Sequence, residues 1–242
     1  MTMFLLCNPV FLLILGAMTK NKLILFDIDG TLLSVESKSM RALIAKLFDE
    51  LQINETEHES VPFAGRTDKA IFSDLLGQKA TASGLFDDVK QRYIDLLDKQ
   101  MLNDWIEVHE GAREAIEWCI DRQLPYGLLT GNFEQAAYIK LRKAGLDSYF
   151  QFGAFGCDQS DRNQLPGIAH RKAELHFERH FQPEDLIIIG DTPNDIGCAH
   201  YYGARSIGIT TGPYTEESLR SYNPDTVISS LREPDSWLGK FI

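Results

Sequence analysis

Lys22–Phe26 reads KLILF and runs straight into Asp27-Ile28-Asp29-Gly30-Thr31. A short continuous apolar run is the pattern of a strand buried on both faces. Polar residues crowded at the C-terminal end of such a strand stand where open α/β sheets bind their ligands. Two further places repeat the pattern. Tyr126–Leu129 is a short strand ending in Thr130-Gly131-Asn132, and Leu186–Ile189 is an aliphatic strand ending in Gly190-Asp191-Thr192-Pro193-Asn194-Asp195.

Helical stretches separate these strands. Gly111–Arg122, Phe133–Ala144 (closed by Gly145) and Pro166–Phe181 read as helices, with Phe152–Phe155 a further short strand. Arg205–Ile209 and Thr226–Ile228 read as strands, each followed by a helix. This alternation predicts a parallel sheet covered on both faces, an α/β doubly wound, Rossmann-like core. Right-handed crossovers then bring the strand C-termini, and with them the clusters at 27–31, 130–132 and 190–195, to one rim. From about Val35 to Val108 no convincing strand is found. Met40, Leu43, Ile44, Leu47, Phe48 and Leu51 form one apolar helical face. Thr67–Leu76 and Ser83–Leu102 read as helices and Asn54–Pro62 as a polar loop. The expected organisation is therefore a core of residues 20–34 and 109–242, with residues 35–108 as an inserted helical domain.

Asp27 and Asp29 are two apart, which on an ideal strand points both to one face. Together with Asp191 and Asp195 they would place four carboxylates at one rim. Such a group repels itself unless a cation is present. Oxygen ligands without His or Cys suit Mg²⁺. A carboxylate can also act as a nucleophile toward phosphorus.

Asp27-Ile28-Asp29-Gly30-Thr31-Leu32, Thr130-Gly131-Asn132 and Gly190-Asp191-Thr192-Pro193-Asn194-Asp195 resemble, in the same order, three motifs of the haloacid dehalogenase-like hydrolase superfamily. The resemblance implies a magnesium-dependent phosphomonoester hydrolase of the phosphoglycolate phosphatase type, working through an aspartyl-phosphate on a small phosphorylated metabolite. Asp27 would be the nucleophile and Asp29 the proton carrier. Mg²⁺ would be held by the Asp27 side chain, the Asp29 backbone carbonyl and Asp191, with Asp195 in support. Thr130, Gly131 and Asn132 would bind phosphoryl oxygens, and Gly30 and Thr31 would join them in binding the substrate. The helical insert resembles the family's C1 cap, whose Gly65-Arg66-Thr67-Asp68 loop would bring Arg66 to a substrate anion. An ordinary helix start capped by Thr67 is the plain alternative. True dehalogenases lack the second Asp, so Asp29 favours phosphoryl transfer. A phosphomutase on the same core, and a non-catalytic binding or regulatory protein, are the other readings. The family's lysine before the acidic motif is missing from Asp161-Arg162-Asn163-Gln164-Leu165-Pro166. Arg162 is the expected substitute, with Arg171 and Lys172 as alternatives.

A formal net charge of -11 argues against non-specific nucleic-acid binding. Cys7, Cys119, Cys157 and Cys198 form no CxxC pair, so reduced thiols in the cytoplasm are expected. The apolar stretch in residues 1–19 is short for a membrane span and lacks a basic leader. It reads as a dispensable tail or an upstream start, ahead of a weak anchor or a packed helix, and no stable membrane association is expected. Neither a P-loop nor a GxSxG sequence is present.

Overall fold

The computed structural model describes residues 21–52, 63–77 and 84–242. The strands are β1 (Leu23–Phe26), β2 (Leu33–Val35), β3 (Ile106–Val108), β4 (Tyr126–Leu129), β5 (Gly153–Ala154), β6 (Leu186–Gly190), β7 (Arg205–Ile209) and β8 (Thr226–Ile228). The helices are α1 (Ser37–Glu50), α2 (Asp68–Leu76), α3 (Leu85–Gln100), α4 (Ala112–Asp121), α5 (Glu134–Ala144), α6 (Leu165–Phe177), α7 (Pro193–Tyr202), α8 (Glu216–Arg220) and α9 (Pro234–Trp237).

Six strands form one parallel sheet in the order β5-β4-β1-β6-β7-β8. Every residue of β1 is buried because β4 and β6 flank it and helices cover both faces. The period of two sorts its side chains. Ile24 and Phe26 join Leu128, Ile187 and Ile189 in a core with α4 and α5, whereas Leu23 and Leu25 join Leu129 and Ile188 against α6 and α7. Phe26 is in register with Leu128 of β4 and Ile189 of β6. The residues just past these three strands therefore come level, which is how Asp27, Thr130 and Asp191 meet although 160 residues of chain separate the turn at Thr31 from Asp191.

Helices α1, α2 and α3 pack around Leu47, Phe48, Phe72, Val89, Tyr93 and Leu97. The same apolar cluster includes Phe133, Ala136 and Ile139 from the sheet side. Phe72 stacks on Phe133 with ring centroids 5.8 Å apart. Burial of aromatic side chains of this size is worth about 1.5–3 kcal/mol each, so Phe133 is a principal tie between the helical insert and the sheet.

One expectation is corrected in the insert. The stretch from Val35 to Val108 does contain strand: β2 and β3 form an antiparallel ribbon, with Leu33 opposite Val108 and Val35 opposite Ile106. Three-residue strands are too short to show a period, and their partners lie far apart in sequence. Helix α6 ends at Phe177 rather than Phe181, closed by Glu178 in the left-handed conformation (φ 52°). The tail of residues 1–19 and the loop at Asn54–Pro62 lie outside the described residues. Cys119, Cys157 and Cys198 are free thiols. Among the described residues no helix is long and apolar enough to cross a membrane.

Candidate active site

β1 stops at Phe26, and the chain then turns tightly. Thr31, Leu32 and Leu33 all donate backbone hydrogen bonds to the Ile28 carbonyl, and Gly30 N donates to Leu33 O (2.8 Å). Asp27 stays level with the sheet, its N–H bonded to Ile189 O (2.9 Å). Asp29 lies beyond the regular strand, so the alternation that would place both carboxylates on one face no longer holds. Asp27 is buried; the Asp29 side chain is 39% exposed.

Asp27, Asp191 and Asp195 form one group. Each offers a carboxylate oxygen, and these lie within 4.8 Å of one another. Asp195 sits in the first turn of α7, where its Oδ2 accepts from Thr192 N (3.0 Å) and Thr192 Oγ1 (2.7 Å) in a capping box. Its Oδ1 accepts a hydrogen bond from Arg162 Nη2, which also lies 3.3 Å from Asp27 Oδ1. Arg162 is therefore the cation brought to Asp27. Lys172 instead bonds Asp158 (2.8 Å) and Gly153 O (3.0 Å), and Arg171 is exposed.

Asp191 is nearly sealed in. Thr31 Oγ1 donates a long bond to its Oδ1 (3.5 Å). Gly30 and Gly212 press on the same carboxylate: a Cβ on Gly30 would stand 2.2 Å from Asp191 Oδ2, and one on Gly212 only 1.7 Å. Gly30 also has φ +81°, which glycine adopts without strain. Thr211 Oγ1 donates to Gly30 O (2.5 Å) and ties the two cradling loops together.

Burial raises the Asp27 carboxyl to about 7, with Asp195 and Asp29 adding to the rise and Arg162 opposing it. Burial, then the charges of Asp195 and Asp27, push Asp191 up to about 9. Ionised together, three buried carboxylates beside one guanidinium would carry an excess of negative charge, which is why two of them hold on to their protons. An all-oxygen donor set of this kind fits a hard divalent cation, which would neutralise that charge.

Asp29 belongs to a second group and not to the carboxylate cluster. Lys140 Nζ bonds both its oxygens (2.9 and 2.7 Å), and Asn132 Nδ2 donates to Oδ2 (2.6 Å). Thr130, fully buried, accepts from the same Asn132 amide (2.9 Å). The expectation of four convergent carboxylates is thus corrected to three, because a buried lysine holds the fourth. Lys140 and Asp68 were missed in reading the sequence. The signal was present for Lys140: it falls on the buried stripe of α5 with Phe133, Ala136, Ala137 and Leu141.

The loop before α2 lies against these residues. Asp68 N donates to Gly131 O (2.7 Å) and Phe133 N donates to Asp68 Oδ2 (2.8 Å). Thr67 caps α2 by accepting from Ala70 N (3.1 Å) and donates to Ser160 O (2.6 Å). Gly65 O accepts from Asn194 Nδ2 (3.0 Å) and Arg162 Nη1 (3.3 Å). The Arg66 guanidinium pairs with Asp74 (2.5 Å).

Residues 24–209 match the haloacid dehalogenase-like hydrolase family. The chain belongs to this family. It is accordingly a hydrolase, and its relatives place it with the phosphatases. A phosphoglycolate phosphatase of Vibrio parahaemolyticus is 25% identical over 223 residues, covering 88% of this chain and 93% of the relative. The pyrophosphatase PpaX of Listeria welshimeri is 25% identical over 213 residues, covering 87% and 93%. In three dimensions the chain resembles a hydrolase from Pseudomonas syringae, with a TM-score of 0.67 and 20% identity over 91% of this chain and 99% of that one.

Proposed function

We propose that this hydrolase cleaves the phosphomonoester of a small phosphorylated metabolite through a phosphoryl group carried on Asp27. The observation that carries the reading is the meeting of Asp27, Asp191, Asp195 and Arg162 at the ends of β1 and β6, beside Thr130 at the end of β4.

Asp27 Oδ attacks phosphorus. The bond to the leaving oxygen breaks, and that oxygen keeps the electron pair and takes a proton from Asp29. Asp29, now a carboxylate, removes a proton from water. The water oxygen attacks the same phosphorus, and the Asp27 carboxylate leaves. Thr130 Oγ1 and the Gly131 and Asn132 amides bind phosphoryl oxygens. Arg162 balances their charge. Asp27, Asp191 and the Asp29 backbone carbonyl would hold Mg²⁺, with Asp195 in support, and the bound ion would supply positive charge to offset the transferring phosphoryl group. Gly30 and Thr31 shape the turn that holds these carboxylates. Residues 35–108 act as a C1 cap over the core of 20–34 and 109–242. The loop from Gly65 to Asp68 closes the site against water, and Arg66 contributes to anion binding as it moves. A cytoplasmic location and a substrate other than nucleic acid fit the acidic chain.

The test is phosphate release from a panel of phosphorylated metabolites, with Mg²⁺ and with chelator. Metal-dependent release from some members supports the proposal. Isomerised sugar phosphate without free phosphate would replace it with a phosphomutase, and silence across the panel with a non-catalytic role.

A further inference from the structure

A lysine with only 5% of its surface exposed needs a reason to be buried. Lys140 Nζ has three protons and three acceptors: Asp29 Oδ1 at 2.9 Å, Asp29 Oδ2 at 2.7 Å and Asn132 Oδ1 at 2.6 Å. An ammonium offers no acceptor, so it fixes which end of the Asn132 amide faces it. The Nδ2 end must then turn outward, where it reaches Asp29 Oδ2 (2.6 Å) and Thr130 Oγ1 (2.9 Å). The three side chains close a triangle. Its base is anchored by the cap, because Asp68 accepts from Phe133 N at the start of α5, two turns before Lys140.

We infer that Lys140 is a positioning residue that holds the Asp29 carboxylate on the leaving-group side of the site. The reason is competition between cations. A divalent ion among Asp27, Asp191 and Asp195 would attract any nearby carboxylate, and Asp29 follows Asp27 by only two residues on the same turn. Two hydrogen bonds from a buried ammonium keep Asp29 apart from that cluster, facing the leaving oxygen. The inference rests on the proposed role of Asp29 as proton carrier. In that step the phosphorus–oxygen bond breaks, the electron pair stays on the leaving oxygen, and the Asp29 proton joins it.

The deciding measurement is single-turnover release of the leaving group by full-length Lys140→Met with Mg²⁺, using an alkyl phosphate and 4-nitrophenyl phosphate. The alkoxide needs a proton as it departs; nitrophenolate does not. The alkyl ester should slow about 100-fold or more, the lower end of what a positioned acid contributes, and the nitrophenyl ester less than about tenfold. An equal loss on both esters, or no loss on either, overturns the inference. If the methionine variant does not fold by circular dichroism, Lys140→Gln is measured against the same two criteria. Asp29→Asn separates the two ideas. If it slows both esters alike or neither, the proton-carrier reading fails. If it shows the leaving-group dependence and the Lys140 variants do not, only the role of Lys140 fails.

Discussion

Asp27 and Asp29 belong to one turn, yet they stand on two unlike walls of the site. Asp27 is buried among carboxylates, faces a single guanidinium and has its carboxyl raised to about 7. Asp29 is partly open to solvent and held by an ammonium and an amide. One wall is built to gather a cation, the other to hold a carboxylate away from it. Residue type alone does not set a role. Two aspartates in one motif are separated by what the neighbouring strands and helix α5 bring to them.

Breaking the first wall should have the largest effect. Asp27→Asn keeps the shape and removes the proposed nucleophile, so phosphate release should fall at least about 10³-fold. The metal-free variant should melt no lower than the wild type, since one crowded carboxylate has become neutral. Turnover near the wild-type rate would reject the covalent route.

Arg162→Met removes the guanidinium shared by Asp27 and Asp195. Leaving buried charges without their partner costs about 3–5 kcal/mol, to be read by denaturant unfolding without metal. Added Mg²⁺ should restore part of that loss, whereas an unchanged midpoint would show that Arg162 is not needed to balance the carboxylates.

The wall of Asp27 and Asp191 should also respond to pH. The folded-state values of Asp27 and Asp191 lie above the ordinary carboxylate value of 3.8, so between these limits the folded protein holds more protons than the unfolded chain. Their contribution to metal-free stability is therefore full below about 3.8 and lost as pH climbs through about 7 and then 9. A cation competes with those same protons. The rise in melting temperature caused by Mg²⁺ should be larger at pH 9 than at pH 6, and a larger rise at pH 6 would contradict the assignment of the cluster.

The smallest effect sharpens the comparison from outside the motifs. Gly212→Ala drives a Cβ against Asp191 on the carboxylate wall and leaves the Lys140 wall untouched. Mg²⁺ affinity should weaken about tenfold, the lower end for residues that orient a metal ligand. Equilibrium titration checks it.

The sequence by itself determined the parallel core and the meeting of three strand ends. A buried strand must be apolar, a covering helix must be apolar on one stripe, and the order of those periods restricts the topology to few choices. Arg162 was legible as one of three candidate cations; the fold brings its guanidinium to Asp27, whereas Lys172 bonds Asp158 and Arg171 is exposed. The β2–β3 ribbon was not legible, because three residues carry no period.

Only the tertiary structure decided where Asp29 points, which lysine holds it and which glycine cradles Asp191. Lys140 is 111 residues from Asp29, and Gly30 and Gly212 close on Asp191 from two separate loops. Local patterns record whether a position is inside or outside. The direction of a side chain beyond the end of a strand is set by charges and close approaches from chain far away, and no local period carries that information.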